Sequence, residues 1–69
     1  MSQVVKVIEV LAQSKKSWED AADKAVKKAS KSINNIKSVH IVSMNAKVVD
    51  NTIVKYRINA KISFVIGDK

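Results

Sequence analysis

The sequence predicts an α+β fold of order β-α-β-β, a three-stranded antiparallel sheet packed on one helix. Three observations carry this. From Thr52 to Ile66, apolar residues (Val54, Tyr56, Ile58, Ala60, Ile62, Phe64, Ile66) alternate with Lys55, Arg57, Asn59, Lys61 and Ser63, the period of a strand buried on one face. Trp18, Ala21, Ala22, Ala25, Ala29, Ile33 and Ile36 recur at helical spacing, with Lys24, Lys27, Lys28 and Lys31 on the opposite side. Two further runs, Gln3 to Leu11 and Ser38 to Val49, are rich in β-branched residues.

The first strand is expected over Gln3 to Leu11, with Lys6 and Glu9 as its charged members, and Ala12 to Lys16 as a polar connection. Ser17 opens the helix. Its hydroxyl can cap the free backbone N–H groups, and Glu19 and Asp20 sit at the positive end of the helix dipole. The alanine stripe lets the helix axis approach a sheet closely. Asn34 and Asn35 tolerate a left-handed C-cap and are expected to end the helix.

In the second strand, Ser38 to Val49, the even positions His40, Val42, Met44, Ala46 and Val48 are the more apolar. Asp50-Asn51 is a turn signal. A three-residue loop, Asp50-Asn51-Thr52, would pair Val48 with Val54 and Ala46 with Tyr56, and so keep the apolar sides together; an odd-length loop, with or without a bulge, is expected. Because the helix returns the chain, strands 1 and 2 run the same way and strand 3 runs opposite to both. The expected strand order is 1-3-2. A helix of about 20 residues spans roughly 30 Å, whereas strand 3 would run roughly 45 Å at ~3.3 Å per residue. Neighbouring copies of the chain are expected to cover the remainder.

Residues 1–69 are expected to form a single domain, too small for one core to stabilise it strongly. Cysteine is absent, which excludes disulfides and thiolate metal sites. The start lacks the pattern of a signal peptide, and no apolar run approaches the ~20 residues that cross a bilayer. The expected location is the cytoplasm, with no membrane partner. The net charge of +7 raises the prior for anionic partners. Arg57 is the only Arg and aromatics are few, which argues against specific nucleic-acid recognition.

Few residues carry chemistry. His40, the single His, fits a partly buried polar position on strand 2. Trp18 continues the apolar stripe and fits packing. Arg57 lies mid-strand on the polar face and suits either an ion pair or a carboxylate or phosphate. Gly67 is the only Gly, so no glycine-rich phosphate loop exists. No nucleophile and base come together in the sequence, and no enzymatic activity is expected.

The run Ser14-Lys15-Lys16-Ser17-Trp18-Glu19-Asp20-Ala21-Ala22, with Ala25-Val26, Ala29, Ile33-Asn34-Asn35-Ile36, Tyr56-Arg57-Ile58 and Ile62-Ser63-Phe64, resembles the dodecin family over nearly the whole chain. The resemblance implies a hollow homododecamer built from trimers, and binding and storage of a flavin (FMN or riboflavin-type) without catalysis. In flavin-binding members a Trp just before strand 2 stacks on the isoalloxazine ring; that position here is Ser38. The Gln that follows the strand-3 Tyr in those members is Arg57 here. Basic side chains that help hold the ligand in some members fall near Asn45 and Val65.

Ser38, Asn45 and Arg57 are thus the candidate cofactor-binding residues, for a small planar or anionic ligand. Loss of the stacking ring removes on the order of 1 kcal/mol per contact. Arg57 can donate hydrogen bonds but not accept them. Weakened or altered flavin affinity is therefore expected. The alternatives are a structural oligomer that binds ions or another anion, and a basic nucleic-acid binder. Simple alternation sets Ser38 and Arg57 on opposite sheet faces, so sharing a site requires an irregularity before Val39 or a pocket between subunits.

Overall fold

The computed structural model describes residues 4–66. The elements are β1 (Val4–Ser14), α1 (Trp18–Ala29), β2 (Ile36–Val49) and β3 (Thr52–Ile66). The sheet has the order β1-β3-β2, with both pairings antiparallel, as expected. Gln3, the expected start of the first strand, lies outside the described residues. At its other end β1 runs on to Ser14 instead of stopping at Leu11, because Ala12, Gln13 and Ser14 still pair with Ile58, Arg57 and Tyr56.

The helix begins as expected. Ser17 is the N-cap and its Oγ accepts from the Asp20 amide at 2.9 Å. It ends far earlier than Asn34-Asn35. Ser30 closes it, donating its Oγ to the Lys27 carbonyl at 2.7 Å and so satisfying one orphan acceptor of the last turn. Ser30 and Ser32 are weak helix formers whose side chains compete for backbone partners. Asn35 is left-handed, with φ of 63°, but it turns the chain into β2 and does not cap the helix. Ile36 therefore belongs to β2, which starts two residues before Ser38.

The β2–β3 connection also differs from expectation. Only Asp50 and Asn51 form the loop, with φ of 52° and 63°. Both are short polar residues that tolerate the left-handed region, as a tight hairpin turn demands. Val48 pairs with Ile53, not Val54, whereas Ala46 does pair with Tyr56. A β-bulge between the Val48–Ile53 and Lys47–Lys55 pairs makes Val54 the extra residue. The parity change that a third loop residue would supply is made inside the strand.

Two more bulges shape β2. Val42 is extra between the Ile41–Ala60 and Ser43–Asn59 pairs, and Lys37 is extra between the Ile36–Phe64 and Ser38–Ser63 pairs. Each bulge reverses the alternation. Met44 and Ala46 share the helix-covered face with Ile58 and Tyr56, but above the bulge Val39 and Ile41 share it, not His40 and Val42. His40 is exposed, opposite Lys61, and so is not the partly buried residue expected.

The core lies mid-sheet. Ala21 packs on Ile58 and Ala60, with Val10, Ala12, Trp18, Ala22, Val39 and Ile41 around them. Among the described residues only Ala21, Ile58, Ala60 and Ile62 are buried hydrophobics. The twelve-residue helix is only ~18 Å long at ~1.5 Å per residue, while the subunit extends 53 × 20 × 13 Å. Its radius of gyration of 14.2 Å exceeds the roughly 11 Å of a compact chain of this length. The uncovered ends and edges leave Val4, Leu11, Met44 and Val48 more than half exposed, Leu11 at 81%.

Candidate functional site

The pairing register assigns each polar side chain to a face. Arg57, Asn59, Lys61 and Ser63 of β3 alternate with the core residues and so lie on the face that α1 leaves bare. Their β2 partners are Asn45, Ser43, His40 and Ser38, and their β1 partners are Gln13, Leu11, Glu9 and Val7. The three sequence-expected residues Ser38, Asn45 and Arg57 therefore share one face. The Val42 bulge brings this about. An irregularity does precede Val39, at Lys37, but the one that sets Ser38 on the face of Arg57 lies three positions beyond Val39.

Two of the three are neighbours. Asn45 and Arg57 are direct cross-strand partners, and such pairs hold their Cβ atoms about 5 Å apart. With Leu11, Gln13 and Asn59 they line an open groove of about 520 Å³. Ser38 is not part of it. It pairs with Ser63, six residues along β3 from Arg57, or roughly 20 Å at ~3.3 Å per residue. The Ser38 and Ser63 hydroxyls hydrogen-bond to each other at 2.5 Å. Val65 borders a different depression, with Ser32, Asn34, Asn35 and Phe64.

Asn59 was not singled out by motif, yet its Oδ1 is buried without a hydrogen-bond partner. An unpaired buried acceptor is costly and marks a place where a donor fits. Its position two residues after Arg57 on an alternating strand is the sequence signal that could have found it.

Trp18 takes no place in the groove. Its ring packs edge-on against Tyr56 at 4.8 Å and 78°, and its Nε1 donates to the Asn45 carbonyl at 2.9 Å. It supports the strand that carries Asn45 from behind. Next to it, the buried Ser14 hydroxyl donates to Asp20 Oδ2 and accepts from the Lys16 amide. That hydrogen bond, helped by Lys24 and Lys16, holds the Asp20 carboxyl below its ordinary value against an opposing desolvation effect.

The bare face is electropositive. Arg57, Lys61, Lys47 and its cross-strand partner Lys55 occupy it against Glu9, which faces Lys61. Among the described residues, no group of three or more His, Cys, Asp and Glu side chains comes together. None of the described helices is long and apolar enough to cross a membrane.

A family model described as Dodecin matches residues 4–67. Calcium dodecin from Mycobacterium tuberculosis is 34% identical over 61 residues, which cover 88% of this chain and 86% of that protein. A crystal structure of that calcium dodecin, described as calcium-chelating with a novel calcium-binding site, superposes with a TM-score of 0.81 at 33% identity, over 93% of this chain and 91% of that one. Dodecin from Streptomyces davaonensis superposes with a TM-score of 0.91 at 16% identity, over 99% of this chain and all of that one. Dodecin from Streptomyces coelicolor gives 0.90 at 18%, over 97% and 96%. At these last two identities the likeness is one of fold.

Proposed function

The chain belongs to the dodecin family, and from that premise we propose that it is a non-catalytic binding and storage protein for a small anionic ligand of the flavin type, acting as a hollow shell of twelve copies. Residues 1–69 serve as one domain of that shell. The observation that carries the reading is the groove on the bare sheet face: Arg57 beside Asn45, with an unpaired Asn59 Oδ1. Arg57 supplies donors to a phosphate or carbonyl oxygen. Asn59 Oδ1 accepts from an N–H. The pyrimidine edge of a flavin presents an N–H between two carbonyls, and FMN adds a phosphate.

The groove alone is open. Small-molecule sites bury most of their ligand's surface, so a second copy of the chain is needed to close it. The exposed Leu11 at its rim is the residue a neighbouring copy would cover. Ser38 stands where flavin-binding dodecins carry their stacking Trp, and its hydroxyl is already occupied by Ser63. The ring therefore lacks its aromatic platform, and flavin affinity is reduced accordingly.

The similarity to a calcium dodecin favours calcium as a second reading. Calcium takes six to eight oxygen ligands, mainly carboxylates. The described residues of one subunit do not form such a cluster, and the basic groove does not suit a cation. Titration of the assembled protein with FMN, followed by flavin fluorescence, separates the readings. Quenching that Arg57→Ala weakens at least about tenfold supports the anion site. Calcium binding by calorimetry without flavin quenching would replace it.

A further inference from the structure

A second polar cleft lies where β1 ends. Ser14–Tyr56 is the last β1–β3 pair, and beyond it the chain leaves the sheet toward α1, so Lys55 has no β1 partner. Gln13, Ser14, Lys15, Lys16, Lys24 and Lys55 line the resulting cleft of about 380 Å³. Asp20 is the carboxylate in contact with this group, bonded to Ser14 and to Lys24, the latter at 3.3 Å. Among the described residues the close ion pairs are Lys24–Asp20 and Lys27–Asp23, so Lys15, Lys16 and Lys55 make no close ion pair, Lys16 acting on Asp20 only at longer range. Lys55 is partly buried.

The sheet adds a second observation. Lys47 and Lys55 are direct cross-strand partners. Like charges at such positions repel and disfavour the pairing. Nothing in the strand pattern calls for two lysines there. A bound polyanion would remove the repulsion and satisfy the unpaired ammonium groups together.

We propose that this lysine cleft binds the phosphate chain of a small polyphosphate anion. The shared chemistry is a run of linked phosphates, whether free or on a nucleotide. The Lys15 and Lys16 ammonium groups approach from the turn, Lys24 from the helix and Lys55 from the sheet, and each is a point donor suited to phosphate oxygen. The cleft is separate from the Arg57 groove, although Gln13 borders both.

The test is calorimetric titration of the assembled full-length protein at low salt with tripolyphosphate, ATP, inorganic phosphate and adenosine. Tripolyphosphate is expected to bind and adenosine not to. Equal affinity for ATP would mean that the phosphates alone are read, and tighter ATP binding would assign a nucleotide; both support the cleft. Lys16→Gln/Lys55→Gln is expected to weaken tripolyphosphate binding at least about tenfold, whereas Lys31→Gln/Lys37→Gln, with the same net charge, changes it less than about twofold. Sedimentation checks that both variants still assemble; if the first does not, Lys15→Gln/Lys47→Gln takes its place. Equal losses in site and control variants, or preferential binding of duplex DNA with a steep salt dependence in both, would overturn the proposal in favour of diffuse charge attraction. So would absence of tripolyphosphate binding.

Discussion

The indole Nε1 of Trp18 donates a 2.9 Å hydrogen bond to the main-chain carbonyl of Asn45. The first residue of the helix is thereby fastened to the strand residue that faces Arg57 on the other side of the sheet. Trp18→Phe keeps the ring against Tyr56 and removes the donor. It is expected to lower stability by about 1 kcal/mol, the usual net worth of such a bond. Trp18→Ala also loses the ring and is expected to cost at least about 2 kcal/mol, since the ring is half-buried. Urea denaturation at fixed protein concentration measures both, because an oligomer's stability depends on concentration.

The Val42 bulge decides which side chains share the bare face. Deleting Val42 removes the extra residue. The Ile41–Ala60 and Ser43–Asn59 pairs would then follow one another in regular register, so Val39 and Ile41 keep the core face and His40 the bare one. The deletion is expected to keep the fold and to lose only the extra local twist that the bulge gives β2. Val42→Ala keeps the backbone count and trims a side chain that is 46% exposed, so it is expected to change stability by no more than about 1 kcal/mol. Circular dichroism and urea denaturation check both; a deletion variant that fails to fold would contradict the pairing of Ile41 with Ala60.

Restoring an aromatic platform tests the ligand reading from the opposite direction. Ser38→Trp is expected to raise FMN affinity about five- to tenfold, equivalent to ~1 kcal/mol of added stacking. Ser38 and Arg57 are too far apart within one subunit to hold one ring. A gain that also requires Arg57 would show that two copies contribute to each site. Unchanged affinity would separate Ser38 from the ligand.

Asp20 gives a pH dependence whose sign is fixed. Its carboxyl is held below the ordinary value chiefly by Ser14, so the folded state favours the ionised form. That contribution is complete above the ordinary carboxylate range and is lost as pH falls through the lowered folded value. Ser14→Ala is expected to be less stable than the parent at neutral pH, with the difference narrowing under acid. In the Asp20→Asn background the remaining effect of Ser14→Ala is expected not to vary over that range. Denaturant midpoints between neutral pH and pH ~3 provide the check.

Much of this was legible in the sequence, for identifiable reasons. Alternation in β3, the Ser17 cap and the alanine stripe are local patterns, and they set the element order and the 1-3-2 sheet. The helix end was missed because the isoleucine spacing of Ile33 and Ile36 continues past Ser30, while the backbone bonds after it tighten, Lys31 to Lys28 and Ser32 to Ala29, and the Ser30 hydroxyl takes the Lys27 carbonyl. The hairpin was misjudged because a parity change can be made by a loop residue or by a bulge, and only the backbone of Asp50 and Asn51 decides between them. The same gap separated Ser38 from Arg57. The switch of apolar positions from Val39 and Ile41 to Met44 and Ala46 is the trace that the Val42 bulge leaves in the sequence. Asn59 escaped notice because an unpaired acceptor is a property of packing and not of residue type.

With a core of so few side chains and hydrophobic residues bare along both edge strands, the subunit is expected to depend on its copies. Native mass determination across a dilution series tests this most directly. A folded particle of twelve copies of 7.6 kDa, near 91 kDa, that persists on dilution is the predicted result. A folded, stable 7.6 kDa monomer at micromolar concentration would contradict it, and the closed ligand site would fall with it.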